Sequence, residues 1–256
     1  ICFLKYDNDL TIKVMKNLSV IIPCYNYEKY ILSNIEKLIN KLEGHDLNNY
    51  ELIIINVGSS DNTKKEIESI INNNRINFIN NTKNHGKSFS IISALPQCKY
   101  NIVLMIDCDL PYFDYLDEVI RNIYNEFDLV AINRRSKQSV ILNKNFSRYQ
   151  KTRVKLGNFI GNLSNIFLKI DFEGDTQAGL KAFKKINAFN ELNFLSKKYF
   201  FDLELIHLYR KNKKKILSIP VKYEISNESN IQIFSFKNFY ILYEFLKIML
   251  ILKFSK

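Results

Sequence analysis

Glycine and proline are scarce, 7 and 4 residues in a chain of 256, far below average usage. No Gly-x-Gly occurs, which excludes the glycine-rich turn that seats dinucleotides, and no Gly-x-x-x-x-Gly-Lys-Ser/Thr occurs, which excludes a P-loop. Cysteine is sparse too: Cys2, Cys24, Cys98 and Cys108 form no Cys-x-x-Cys, and with only His45, His85 and His207 beside them there is no zinc signature. The cysteines read as reduced residues of a protein on the cytosolic side. No run of 18 apolar residues occurs, so no membrane-spanning helix is expected.

What is present is an ordinary globular composition, 46% hydrophobic and 25% charged, in a length that suits one large domain. The net charge is +11. Excess positive charge favours anionic partners, whether phosphorylated substrates, lipid headgroups or nucleic acid. Asn, Ile and Lys are abundant throughout, as AT-rich coding produces, and this accounts for part of the excess. No nucleic-acid-binding module is recognisable, so no nucleic-acid partner is expected.

Along the chain, short apolar β-branched runs at 18–23, 52–57, 76–79, 102–106 and 129–132 read as buried strands. Helical patterns lie between them, at 31–42 (ended by Gly44), from Thr63, from Gly86 to Leu95, and at 116–127. Strands that are continuously apolar and alternate with helices predict a mostly parallel sheet covered on both faces. Ligands of such α/β folds bind beyond the carboxyl ends of the strands. The second half predicts a long helix carrying an apolar stripe over 156–170, which reads as packing on the core. A strand near 179–183, a helix over 201–210 and a strand over 216–223 follow. The apolar, aromatic tail 236–254 is expected to contact a membrane, pack on the core or form a dimer contact.

Polar motifs fall at the expected strand ends. Asp107-Cys108-Asp109 places two carboxylates two residues apart. Such a pair is costly to desolvate without a cation, and Mg2+ or Mn2+ with substrate phosphates would answer it. Asn84-His85-Gly86-Lys87-Ser88 opens a helix, whose free N–H groups together with a lysine suit phosphate. Pro23-Cys24-Tyr25-Asn26 and Gly58-Ser59-Ser60-Asp61 end two more strands, and each is equally consistent with an ordinary turn.

Together these segments resemble the family 2 glycosyltransferases of GT-A fold. LSVIIPCYNYEKYI, ELIIINVGSSDNT, NHGKSFSIISAL and VLMIDCDL match that family's motifs in order and spacing over residues 17–135. Further on, FEGDTQAGLKAFKK and FFDLELIHLYRKNKKKILSIPVKY resemble the polyprenyl-phosphate sugar transferases, the dolichyl-phosphate glucosyltransferases in particular, to about residue 230. The resemblance implies an N-terminal extension (1–16), a GT-A domain (17–230) and an apolar C-terminal helix (231–256). It implies inverting, metal-dependent transfer of a hexose, glucose from UDP-glucose first, to a polyprenyl or dolichyl phosphate. The setting would be peripheral, at the cytosolic face of a membrane.

Residue by residue, the resemblance gives Pro23, Tyr25, Glu28, Asn56 and Gly58 to the nucleotide pocket. Lys87 and Asp107 would face the nucleotide, and Asp107 and Asp109 would hold the metal. Arg134 would face the acceptor phosphate, with Asp175, Gln177 and Lys181 lining the sugar and acceptor side. Asp202 and Glu204 match a signature as structural as it is chemical. The chain departs from the family where Asn56-Val57 replace paired aspartates, where Ser88 replaces a glycine, and at Pro111 and Tyr27. A saccharide acceptor and a non-catalytic, ligand-binding relative therefore remain as alternatives.

Overall fold

The computed structural model describes residues 16–143, 146–169, 175–186, 189, 194–225 and 237–254. All but Lys16 of the expected extension 1–16 lies outside them, as do residues 226–236, across the expected boundary between the domain (17–230) and the C-terminal helix (231–256).

The strands are β1 (Asn17–Cys24), β2 (Asn49–Val57), β3 (Ile76–Asn81), β4 (Ile102–Ile106), β5 (Leu129–Asn133), β6 (Val140–Ile141), β7 (Leu180–Lys184), β8 (Ile216–Pro220) and β9 (Lys222–Tyr223). The helices are α1 (Ile31–Glu43), α2 (Thr63–Glu68), α3 (Lys87–Ala94), α4 (Leu116–Asn125), α5 (Arg148–Leu168), α6 (Phe201–Lys211) and α7 (Lys237–Phe254). The main sheet has seven strands in the order β3-β2-β1-β4-β7-β5-β8, and β6 pairs with β9 apart from it. The pairs β1–β2, β1–β4, β2–β3 and β5–β8 are parallel. β7 runs antiparallel to both neighbours, with Ile106 opposite Leu180 and Ala131 opposite Lys181.

Side chains alternate across a strand, and both faces are covered. Val20, Ile22, Leu52, Ile54 and Leu104 pack with α1, α2 and α4, while Ile21, Ile53, Ile55, Val103 and Met105 pack with α3, α6 and the inner face of α7. Two-sided burial is why these strands are apolar without a break.

The stripe on α5 meets expectation in part: Ile160 and Leu163 pack against the core. Leu168 is buried, but Leu156, Phe159, Ile166 and Phe167 are exposed, Ile166 to 72%. Helical periodicity shows that a face is apolar; it does not show what covers it. α7 divides similarly, with Phe245, Ile248 and Met249 on the core and Tyr243, Leu246, Leu250 and Phe254 outward. Among the described residues no helix is long and apolar enough to cross a membrane.

Candidate active site

The carboxyl ends of β1 and β2 carry two loops that hold each other. Asn26, with φ 52°, donates its N–H to Ser59 Oγ (3.0 Å), and its Oδ1 accepts from Ser60 N (2.8 Å). Tyr27 N donates to Thr63 Oγ1, Glu28 N to Asp61 Oδ2, and Asn62 N to Glu28 Oε2. Gly58 has φ +71°, and a Cβ there would overlap the main chain of Lys83 and Asn84, so the turn after β2 needs glycine.

Pro23, Tyr25, Glu28, Asn56 and Gly58 thus meet at one corner, but two of them already have partners there. The Glu28 carboxylate accepts from its neighbouring loop. Asn56 is 3% exposed; its Oδ1 accepts from Ser59 N (2.9 Å) and its Nδ2 donates to Asn80 Oδ1 (2.8 Å). Where a base contact was expected of Asn56, its amide shapes the loop, a role that its side-chain type alone does not reveal.

β4 delivers Asp107 and Asp109. Asp107 N donates to Gly179 O (3.0 Å). A Cβ on Gly179 would come within 2.5 Å of Asp107 Oδ2 and 2.7 Å of Pro111 Cγ, so a larger residue there would displace the Asp107 carboxylate or the Pro111 ring. Asp107 pairs with Lys87 Nζ. Burial and the charge of Asp107 raise the carboxyl of Asp109 above its ordinary range. A carboxyl whose charge is opposed by burial and by a neighbouring carboxylate is relieved by a cation. Lys87 supplies one: burial works against its charge, but Asp107, Asp202 and Asp109 together raise its pKa. Among the described residues no group of three potential metal-ligating side chains occurs. The donor set is instead a carboxylate pair, which suits a hard ion whose other ligands are phosphate oxygens and water.

The start of α3 corrects the sequence reading. Its first-turn N–H groups were expected to be open to phosphate, yet Ser88 N donates to Lys198 O (3.0 Å) and Phe89 N to Lys197 O (3.1 Å). Gly86, with φ +102°, lets that chain approach, since a Cβ would lie 2.7 Å from Lys198 Cα. The side chain of Lys87 remains as the cation that this helix brings to the site. Ser88, where the family has glycine, is buried; its Oγ accepts from Phe201 N (3.1 Å) and bonds Ser196 Oγ (3.0 Å), tying α3 to the start of α6.

The other side of the site is built on β5 and the segment 175–179. Arg134 donates to Asp175 through Nε (2.9 Å), Nη2 (2.7 Å) and its main-chain N (2.6 Å). Burial pushes the Asp175 carboxyl up, but the Arg134 guanidinium outweighs it and holds the group below its ordinary range. Tyr112 and Tyr223 meet edge to face at 6.3 Å, and the charge of Arg134 acts on both. Arg135 donates to Gly157 O on α5. Gln177 is exposed, its Nε2 3.4 Å from Thr176 Oγ1.

Lys181 differs from expectation. It is 2% exposed, and its Nζ donates to Ala178 O (2.9 Å), to Thr176 O (3.4 Å) and to the Asp202 carboxylate. It props the 175–179 segment from beneath instead of lining a sugar pocket. Asp175, 1% exposed, lies beneath Arg134 in the same way. Glu204 accepts from Leu195 N and Ser196 N at 2.7 Å each, which gives that signature a structural role. Sequence reasoning missed Tyr112, Tyr223 and Arg135; the only local sign was the doubled arginine at 134–135.

A cavity of about 430 Å³ lies between the ends of α5, α6 and α7, lined by Lys169, Arg210, Lys211, Lys253 and His207 among others. Its cations sit where helix carboxyl ends favour positive charge, and that placement accounts for them.

Residues 19–185 match the family model described as glycosyl transferase family 2. The chain is 31% identical over 249 residues to a UDP-N-acetylglucosamine–dolichyl-phosphate N-acetylglucosaminyltransferase of Methanococcus voltae, covering 88% of this chain and 94% of that protein. It is 28% identical over 232 residues to a dolichyl-phosphate beta-glucosyltransferase of Trichomonas vaginalis, covering 84% and 68%. It spans 44% and 41% of the length of two further curated relatives. In fold it is similar to glucosyl-3-phosphoglycerate synthase from Mycobacterium tuberculosis, crystallised with Mn2+, UDP and glucosyl-3-phosphoglycerate. The TM-score is 0.61 at 16% identity, over 93% of this chain and 80% of that one.

Proposed function

Because this chain belongs to glycosyl transferase family 2, we propose that it moves a hexose from a UDP-sugar, UDP-glucose first, to a polyprenyl or dolichyl phosphate, with inversion. One observation carries the reading. The segment 175–179 closes on Asp107 at one end through Gly179 and on Arg134 at the other through Asp175. A carboxylate pair suited to a metal–diphosphate and a guanidinium suited to an acceptor phosphate are therefore set by a single short segment.

Asp109 and Asp107 would hold Mg2+ or Mn2+, which when bound neutralises charge on the leaving diphosphate. Lys87 adds a fixed cation on the same side, where developing negative charge is stabilised by preorganised groups. Arg134, locked by Asp175, would orient the acceptor phosphate. A phosphate oxygen is already largely ionised near neutral pH, so attack needs no strong base. The histidines agree with this: His45 pairs with Asp117, His85 lies against Phe89, and the ring nitrogens of His207 are buried within α6.

The lipid would reach the site from the face formed by α5 and α7, whose outward aromatic and apolar side chains suit an interface. Lys253 stands 4.6 Å over the Phe167 ring between the two helices. Such a setting is peripheral, at the cytosolic face.

The test is glycolipid formation from UDP- and GDP-sugars with Mg2+ or Mn2+ and a polyprenyl phosphate. Asp109→Asn is expected to lower turnover by about 100-fold or more, the scale of losing a transition-state charge partner, with an unchanged circular dichroism spectrum. No product across the panel would sink the proposal. Activity on free saccharides without lipid phosphate would move the acceptor class, and UDP binding without turnover would make the chain a binding relative.

A further inference from the structure

Glu244 lies on α7, outside every motif that suggested a function, yet it is 5% exposed and reaches inward. Its Oε1 accepts from Lys197 N (2.6 Å), Lys198 N (3.0 Å) and Ser196 Oγ (3.4 Å). Its Oε2 is buried without a hydrogen-bond partner and Glu244 borders a cavity of about 100 Å³. A buried carboxylate is costly unless hydrogen bonds compensate its charge, and here two main-chain N–H groups and a hydroxyl do so.

Those contacts lead to the site. The turn that Glu244 gathers presents the carbonyls of Lys197 and Lys198 to Phe89 N and Ser88 N. Ser196 Oγ joins Ser88 Oγ within the same turn. These bonds set the first turn of α3, and the residue that opens α3 is Lys87, paired with Asp107. Lys198 Nζ also stands 4.9 Å over the Tyr240 ring, a second bond between the turn and α7.

We propose that Glu244 is a positioning residue: through the 196–198 turn and the start of α3 it holds Lys87 against Asp107, so that α7 sets donor affinity. The proposal rests on the donor-site reading above and adds a residue that makes no contact with Lys87. A short carboxylate-to-amide chain can do this because each N–H at a helix start points along a fixed direction, and moving its acceptor turns the helix end.

The experiment compares wild type with Glu244→Ala and Glu244→Gln by hydrogen exchange at the amides of residues 88 and 89 and by calorimetric titration with UDP and Mn2+. Loss of the acceptor is expected to speed exchange at both amides and to weaken UDP about tenfold. In turnover, KM for the donor rises in step while KM for the lipid acceptor does not. Glu244→Gln keeps an acceptor oxygen and should stay within about threefold of wild type. A purely structural role would lower the fraction of binding-competent protein at unchanged Kd. If the alanine variant does not fold, Glu244→Asp withdraws the oxygens by one methylene and should act in the same direction.

Unchanged UDP affinity, unchanged exchange at residues 88 and 89, or a glutamine variant as weak as the alanine one overturns the proposal. Absence of UDP binding in the wild type overturns the functional reading alone, and exchange at residues 88 and 89 then still decides whether Glu244 holds the start of α3.

Discussion

Arg134 and Asp175 show how much one ion pair can determine. Asp175 is 1% exposed, and its carboxylate accepts three bonds from Arg134. Arg134→Ala would remove the guanidinium and leave the buried carboxylate only the main-chain donor of residue 134, and breaking a buried ion pair costs about 3–5 kcal/mol. Arg134→Lys keeps a charge but loses the planar fork and should fall between. Urea denaturation of the three proteins checks the order. The bond is also pH-linked. Because the folded pKa of Asp175 is depressed, its stabilisation is full above the ordinary carboxyl range and is lost as pH falls through the folded value.

At the scale of elements, α6 carries a titration of opposite sign. Burial pushes Glu204 up from 4.5 to about 7, against the two main-chain donors that favour its charge. Stability from this group is therefore present below about 4.5 and lost as pH rises through about 7. Melting temperature across that window should decline in the wild type and flatten in Glu204→Gln. Much of the element layout was legible: the cores of β1, β2 and β4 are apolar runs, and the turns after β2, β3 and β4 carry Gly58, Gly86 and an aspartate pair. The rest was not, for physical reasons. Nothing local tells that Leu180–Lys184 inserts antiparallel between two strands, because pairing partners leave no periodicity in the strand itself. Nothing near Gly86 tells that residues 197–198 fill the end of α3. The functions of Ser88, Glu244 and Lys181 depend on residues 108, 47 and 21 positions away. Asn56 stands where an aspartate would face a nucleotide base, and its amide brackets its own loop instead.

For the whole molecule, the face of α5 and α7 is distinctive in presenting large apolar side chains to solvent. Withdrawing each large apolar side chain from water contributes about 1.5–3 kcal/mol. Replacing Ile166, Leu250 and Phe254 by serine together should therefore lower binding to phospholipid vesicles at least about tenfold, read by co-sedimentation. Concentration-dependent sedimentation without vesicles, abolished by the same changes, would instead identify the face as a dimer contact. The place of β7 in the sheet has a consequence for how the chain is made. β1 to β3 find all their partners among β1 to β4, but the outer edge of β4 and the inner edge of β5 both wait for residues 180–184. A ribosome releasing this chain delivers an N-terminal half, β1 to β4, that can close early. It delivers β5 without its inner neighbour and exposes the raw edge of β4 until the keystone strand emerges. Edges of that kind invite pairing with other chains, so the interval before residue 184 appears is when a nascent copy is most prone to aggregate or to need a chaperone.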